Sequence, residues 1–226
     1  MIKYILSFCL LIFLVCSLHS CQAVNPPISV DLDLPSGLLW ATCNIGAEAP
    51  EEAGNYYSWG EIETKDTYSW SNYKFFKSDV GEDDIRFTKY VPQDDSDICG
   101  YNGFSDDKLT LDNEDDVARV CLGIVWRMPT QADFKELHDN CTWTWTSQNG
   151  VAGYLLTSTR NHKTLFLPAA GYRSESDISD AGSDGCYWSS DLYVSAPRLA
   201  RGLFFGSDYV YPSSYIRKNE KYRMEK

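Results

Sequence analysis

The residue types that most often catalyse reactions are scarce in this chain. Of its three histidines, His19 lies in an N-terminal leader, His138 on a predicted helix and His162 in a predicted hairpin turn. A histidine in the last two settings is more often a surface residue than a general base. The sequence also lacks a Gly-x-Ser-x-Gly elbow, a His-Glu-x-x-His helix and a phosphate-binding loop. We therefore predict no catalytic residue and a protein that is not an enzyme.

Carboxylate side chains could bind a metal ion. Asp177, Asp180 and Asp184 lie in a Gly/Ser-rich loop, and Asp112–Asp116 supplies further acids. Oxygen ligands of this kind suit Ca²⁺, which takes about six to eight of them, but neither segment has the EF-hand spacing. A solvated acidic surface is the interpretation we favour, so no cofactor is predicted. Calcium at Asp177, Asp180 and Asp184 remains the competing hypothesis.

Aromatic side chains could bind a ligand by stacking. Trp70, Tyr73 and Phe76 lie in a stretch from about Thr64 to Asp116 where hydrophobic periodicity fades. A long irregular stretch is often functional, and exposed rings make stacking platforms for flat ligands. If these three rings are exposed together, they mark a binding patch. Burial in the core is predicted for four tryptophans: Trp59, Trp126, Trp143 and Trp188.

Composition bounds the class of protein. The 226 residues suit one domain of ordinary size, and 43% hydrophobic with 23% charged residues exclude disorder throughout. The formal net charge is −12, so nucleic acid and anionic membrane surfaces are poor partners.

The first residues have the pattern of an export signal. Lys3 precedes an apolar run, Ile5–Leu18, that is too short for an ordinary membrane span. Leu-His-Ser-Cys21 then has the form of a bacterial lipobox. This pattern predicts a signal peptide at 1–20, a lipidated Cys21 and a tether at 22–28. The alternative is cleavage after Ala23 without a lipid, which gives a periplasmic or secreted protein.

The elements that position these residues centre on Trp126–Trp145. Thr130 is a good helix N-cap, with Asp133 at the capping-box position and Asn140 as a stop. One apolar stripe follows at spacings i, i+3 and i+7: Phe134, Leu137 and Cys141. A second helix is predicted from Asp112 through Val120. Short strands are predicted at 29–34, 38–42, 154–158, 164–167, 186–190, 199–205 and 209–211.

Six segments, in order, resemble a known family: Trp40–Ala47, Gly54–Glu61, Leu111–Ala118, Trp126–Thr130, Phe166–Tyr172 and Tyr187–Ser190. They are similar to the Fibrobacter succinogenes major paralogous domain, FISUMP, whose members are typically exported bacterial proteins. The resemblance implies an α+β, C-type-lectin-like single domain at 29–216. Its expected parts are a small twisted antiparallel sheet, two short helices and a long irregular loop region.

The same segments are distantly similar to the formylglycine-generating enzymes. Those enzymes carry an Arg-Leu-Pro-Thr-x-x-Glu-Trp segment where this chain has Arg127–Phe134, and they bind copper through two cysteines in their C-terminal part. Only Cys186 lies in that part of this chain, so no catalytic residue is carried over.

Two departures from the FISUMP pattern carry predictions. Cys121 and Cys186 both stand where the family usually has other residues, which suggests that they form a disulfide; two separate buried thiols are the alternative. The C-terminus lacks the apolar alternation of the family's last strand, which in a lectin-like domain pairs near the first. Residues 217–226 are therefore expected to be frayed.

The function predicted from these observations is a membrane-anchored recognition or adhesion module that binds a glycan or a protein at the bacterial envelope. The predicted ligand residues are Trp70, Tyr73 and Phe76. A structural subunit of an envelope or fimbrial assembly is one alternative, and an enzyme of formylglycine-generating type is another.

Overall fold

The structure, a computed structural model, describes residues 28–77, 86–93 and 104–217. The predicted signal peptide, lipidation at Cys21 and all of the tether except Ile28 lie outside the described residues, as do residues 218–226. None of the helices in the described part of the chain has the length and apolar character needed to cross a bilayer.

Antiparallel strands make up most of the regular structure. The ten strands are β1 (Ser29–Asp31), β2 (Leu39–Ala41), β3 (Cys141–Gln148), β4 (Val151–Ser158), β5 (Thr164–Pro168), β6 (Tyr172–Ser174), β7 (Asp177–Ser179), β8 (Gly185–Leu192), β9 (Leu199–Gly206) and β10 (Tyr209–Arg217). The two α-helices are α1 (Val117–Leu122) and α2 (Gln131–Asn140), and Trp70–Asn72 forms a single 3₁₀ turn.

The strands pair into several small sheets. Two of them are three-stranded meanders, β3–β4–β5 and β8–β9–β10, while β1–β2 and β6–β7 are two-stranded. The predicted α+β class is confirmed. The expected single small sheet is replaced by four separate antiparallel sheets within the described residues.

Helix α2 begins as its capping pattern predicts. The Asp133 backbone N–H donates to Thr130 Oγ1 at 3.1 Å, and the Thr130 N–H donates to Asp133 Oδ2 at 2.7 Å. Phe134 and Leu137 are buried against the sheets, and Cys141, also buried, already belongs to β3. The helix therefore connects directly to the strand that follows it.

The larger core lies between α2 and the two three-stranded sheets. Its buried members include Leu137, Leu156 and Leu203, which are completely inaccessible to solvent. Phe205 of β9 is also fully buried and contacts the rings of Tyr154 at 5.3 Å and Tyr187 at 5.9 Å between ring centroids. A single ring thus joins residues from both meanders.

A second core holds the irregular region together. It consists mainly of rings packed edge to face, such as Trp59 on Tyr90 at 4.9 Å and Phe75 on Tyr90 at 5.2 Å. Trp59, Phe87 and Tyr90 are at most 1% exposed. Aromatic pairs in this geometry contribute about 0.5–1.5 kcal/mol each beyond the area they bury. We call these residues and their neighbours Tyr73, Val91, Leu192 and Ala200 the aromatic cluster.

The last strand differs from the prediction. β10 runs through Arg217 and pairs with β9 along its length, so residue 217 is not frayed. Opposite the step from Phe204 to Gly202, β10 advances by three residues, from Tyr211 to Ser214, and Pro212 lies within this bulge. Within the described residues β1 pairs with β2, and not with the last strand.

Candidate functional site

A cleft of about 410 Å³ lies between α1, the start of α2, β2, β5 and β8. We call it the central cleft. Its size falls within the range of about 300–1,000 Å³ that is usual for small-ligand sites. All six segments that carry the family resemblance contribute residues to its lining.

Hydrogen bonds to two aspartates hold the walls of this cleft together. Asp116 caps α1 by accepting from the Arg119 N–H at 3.0 Å, and its other oxygen accepts from the Met128 N–H at 2.9 Å. Asp191 of β8 accepts from the Gln131 N–H at 2.6 Å. These bonds tie α1, the Arg-Met-Pro-Thr turn, α2 and β8 together, so the walls of the cleft are fixed relative to one another.

Aromatic side chains are a large fraction of the lining, more than a quarter of its residues. Ten contribute: Trp40, Tyr56, Tyr57, Tyr68, Trp126, Phe134, Phe166, Tyr172, Tyr187 and Trp188. Trp126 is partly exposed and belongs to none of the core clusters, so the prediction that it is a core residue is wrong. Trp59 is fully buried, as predicted, while Trp143 and Trp188 are partly buried and pack against the cores.

Three of the tyrosines use their hydroxyl groups within the protein. Tyr56 donates to the Ala170 carbonyl at 2.7 Å, Tyr68 to the Tyr56 carbonyl at 2.6 Å and Tyr187 to the Pro168 carbonyl at 2.7 Å. Burial raises the pKa of the hydroxyls of Tyr56, Tyr68 and Tyr187, so they remain protonated donors. The rings are held in place by these bonds, and what remains for a ligand is mainly their faces.

Two free thiols also line the cleft. Burial raises the pKa of Cys43, and the nearby Glu52 carboxylate raises it further. Burial likewise raises the pKa of Cys186 far above its ordinary value, with added contributions from the charges of Asp184 and Asp180. A nucleophilic cysteine needs its thiolate form. Neither residue has the electropositive surroundings that would favour one.

The described histidines, His138 and His162, do not line the central cleft. Among the described residues that line the cleft there is no histidine. His138 lies 3.2 Å from Asp139 on the exposed side of α2, and His162 occupies a left-handed turn position (φ 61°) between β4 and β5. Both are therefore placed as the sequence predicts, in a helix surface and a hairpin turn.

The charged lining consists of three arginines and two acids. Arg127 Nη1 lies 2.6 Å from Asp133 Oδ2, and Glu61 is bonded to Lys65 Nζ at 2.6 Å. Burial raises the pKa of Asp133, but hydrogen bonds from Arg127 and Thr130 outweigh this and hold it below its ordinary range. The remaining arginines, Arg119 and Arg173, have no carboxylate partner among the described residues.

The predicted ligand residues lie elsewhere. Tyr73 is 3% exposed within the aromatic cluster, and Trp70 and Phe76 are partly buried against the same cluster. Trp70 contacts Tyr73 at 5.7 Å and Phe87 at 5.5 Å between ring centroids. The three rings therefore do not form the exposed patch that the sequence suggested, because they bury one another.

The predicted calcium loop does not converge either. Asp177 is exposed in β7, Asp180 takes a left-handed conformation (φ 57°), and Asp184 accepts from the Tyr209 hydroxyl at 3.2 Å. The three do not form a ligand group among the described residues, where the carboxylates that come within 4.8 Å of one another are Asp112, Glu114 and Asp115.

A lysine already occupies that acidic group. Lys89 Nζ lies 2.6 Å from Asp112, 3.1 Å from Glu114 and 2.6 Å from Asp115. Lys74 adds a second ammonium group 2.6 Å from Asp115. A metal ion would have to displace these cations, so the geometry is that of an ion-pair network.

The predicted disulfide between Cys121 and Cys186 is wrong. Cys186 carries a free thiol on β8, whereas Cys121 is disulfide-bonded in α1. The partner of Cys121 lies outside the described residues. Two departures from one family pattern carry no information about distance, which is why the inference failed.

Alkylation should distinguish these cysteines. After unfolding without reductant, we expect peptides containing Cys43, Cys141 and Cys186 to be labelled by iodoacetamide, and the Cys121 peptide only after reduction. In the folded protein Cys141 should react slowly at neutral pH, because burial raises its pKa to about 11. Peptide mass mapping with and without dithiothreitol measures this. Labelling of Cys121 without reductant would contradict the disulfide.

Comparison with known proteins adds one finding. A family model described as a domain of unknown function, DUF8237, matches residues 123–224, which covers the Arg-Met-Pro-Thr turn, α2 and β3 to β10. Curated proteins and solved structures gave no match. The resemblance to FISUMP therefore stays a prediction.

Sequence reasoning missed the cleft because it assigned ligand contact to the irregular stretch 64–116. The available signal was the set of six resemblance segments, all of which meet at the cleft. Trp126 was predicted to be a core residue, and Arg119 and Arg173 were not singled out, since no local pattern marks a residue that faces a cavity.

Proposed function

We propose that this protein is a non-enzymatic recognition module that binds a glycan in the central cleft. The observation that carries the proposal is the aromatic lining, in which the hydroxyl groups of Tyr56, Tyr68 and Tyr187 are bonded to the backbone. A pyranose ring has faces of C–H groups that pack well on aromatic rings, while its hydroxyl groups bond to a few fixed polar atoms. A cavity of about 410 Å³ suits one or two sugar units better than a protein surface.

The chemistry of the lining supports binding over catalysis. Its thiols have a pKa raised by burial, and its two carboxylates are each paired with a cation. A formylglycine-generating type of reaction would need a reactive cysteine, and the surroundings of Cys43 and Cys186 disfavour a thiolate.

The cellular location of the protein and its fold family are part of this proposal. The apolar leader and Cys21 support an exported lipoprotein at the bacterial outer membrane or cell envelope. The C-type-lectin-like assignment is supported by the α+β class, the small antiparallel sheets and the long irregular region. Binding of an extracellular sugar is consistent with both.

Replacing Trp126 with alanine should weaken glycan binding by about twofold to tenfold. Its ring lines the cleft outside the core clusters, and a stacked ring contributes about 0.5–1.5 kcal/mol, where 1.4 kcal/mol is tenfold in affinity. A glycan array with the full-length protein in a zwitterionic detergent, followed by titration of the best ligand, measures the effect.

Two variants serve as controls for this experiment. Tyr211→Ala removes a ring that is 42% exposed on β10, outside the cleft, and should bind as the unmodified protein does. Trp70→Ala tests the irregular region as a rival site. If Trp70→Ala abolishes binding while Trp126→Ala does not, the cleft is not the site.

A further inference from the structure

Surplus positive charge in the cleft contrasts with the charge of the whole chain. The protein carries a formal net charge of −12, yet three arginines and two acids line the cleft. Both acids are already paired, Asp133 with Arg127 and Glu61 with Lys65. Since Lys65 neutralises Glu61, the cationic character of the cleft is that of Arg119 and Arg173.

Arg173 is held in place but not neutralised. Its guanidinium lies over the Tyr68 ring, 5.4 Å from the centroid, and Nη2 donates to the Asp66 carbonyl at 3.1 Å. Two backbone bonds between Tyr68 and Glu175, of 3.0 and 3.1 Å, fix the turn that follows β6 beside that ring. The Nε–H is buried and has no acceptor among the described residues. A guanidinium has five donors, so most of its capacity is unused.

Arg119 reaches the cleft from α1. It lies in the last turn of α1, whose start is fixed by the Asp116 cap, and it is only partly exposed. Its side chain has neither a hydrogen bond nor an ion pair among the described residues. A partly buried cation without a counter-charge loses hydration that an anionic group would replace.

A third polar group points to the same conclusion. Ser58 is 3% exposed, lines the cleft, and its Oγ lacks a hydrogen-bond partner among the described residues. A buried hydroxyl group without a hydrogen-bond partner is uncommon in folded proteins. A ligand oxygen that reached the floor of the cleft would satisfy this group.

We propose that the glycan bound in the central cleft is acidic, and that Arg119 and Arg173 bind its anionic groups. This inference rests on the proposed function and narrows it to sugars that carry carboxylates or sulfate esters. Arginine matches both groups through paired N–H donors. The aromatic faces take the sugar rings, and the guanidinium groups select the charged substituents.

Matched pairs of oligosaccharides test the inference. The full-length protein in a zwitterionic detergent is titrated with uronate oligosaccharides and their carboxyl-reduced forms, and with sulfated oligosaccharides and their desulfated forms. We expect at least tenfold tighter binding to the acidic member of one pair, with affinity falling as salt rises. The pair that discriminates identifies the anionic group.

Substitutions of single arginines identify the residues that bind the anionic groups. Arg173→Gln and Arg119→Gln should each weaken acidic binding about tenfold and flatten the salt dependence, while Arg201→Gln, whose guanidinium packs over Tyr193 outside the cleft, should not. Thermal unfolding verifies that each variant is folded, and having two independent arginines keeps the test decisive if one variant is unstable.

The outcomes separate the two proposals. The acidic specificity is wrong if acidic and neutral members bind equally, Trp126→Ala loses this binding and the arginine variants keep it. The proposed glycan-binding function would be retained in that case. Absence of binding to every member of the pairs and of the array overturns both.

Discussion

Phe205→Ala should lower the free energy of unfolding by about 3–5 kcal/mol, as expected for a fully buried phenylalanine replaced by alanine. The ring is 0% exposed and touches Trp143, Trp145, Tyr154 and Tyr187. Because these neighbours come from β3, β4 and β8, they cannot all move inward to fill the space. Urea denaturation followed by far-UV circular dichroism measures the change.

The environment of Phe205 supports a large value. A methyl group added at Gly185 would lie 2.1 Å from the Phe205 ring, so β8 is packed directly beneath it. Tyr211→Ala, on the exposed face of β10, should change stability by less than about 1 kcal/mol and serves as the control. A loss below about 1 kcal/mol in Phe205→Ala would show that the two meanders do not depend on this contact.

Asp115→Asn should lower the free energy of unfolding by about 3 kcal/mol, the lower end of the range for breaking a buried ion pair, because Lys74 loses its carboxylate partner while Lys89 keeps Asp112 and Glu114. Asp115 is 1% exposed, and its carboxylate is bonded at 2.6 Å by Lys74, Lys89 and the Tyr90 hydroxyl. The substitution retains the shape of the side chain and removes its charge. Chemical denaturation at neutral pH gives the difference directly.

The same residue sets part of the acid sensitivity. Burial raises the pKa of Asp115, but the bonds from Lys74, Lys89 and Tyr90 outweigh it, so the folded pKa lies below the ordinary value. Its stabilising contribution is therefore complete above the unfolded pKa of about 3.9 and is lost as pH falls through the lower, folded pKa. Stability should decline less steeply with acid in Asp115→Asn than in the unmodified protein.

An exposed ion pair on α2 provides the control for the loss of one negative charge. Asp139 lies 47% exposed on α2, paired with Lys135 one helical turn away. Asp139→Asn should leave the denaturation midpoint unchanged at neutral pH, since exposed pairs contribute little. An equal loss in Asp139→Asn and Asp115→Asn would mean that net charge, and not burial, determines the effect.

Local patterns predicted the regular elements well. The cap at Thr130, the stripe of Phe134 and Leu137 and the hairpin of β4 and β5 depend on residues close in sequence. Such patterns record the choice between helix and strand at short range. They predicted β10 poorly: a short strand was expected at 209–211, whereas the strand bulges at Pro212 and continues to Arg217.

The irregular region and the cleft could not be derived in the same way. Whether Tyr73 is buried depends on rings such as Phe87 and Tyr90, brought to it by a chain that has no repeating period. The cleft likewise depends on segments as distant as Trp40 and Trp188. Spacing along the sequence contains no measure of these distances.

The bulge in β10 has a consequence for assembly. An incoming strand from another molecule needs an unbroken row of donors and acceptors, and the outer edge of β10 interrupts that row at Pro212, which has no N–H. Arg201 Nη1 also reaches the Ser213 carbonyl at 3.4 Å and adds charge beside the interruption. Polymerisation by donor-strand exchange along this edge is therefore disfavoured, and neighbouring copies would remain separate molecules.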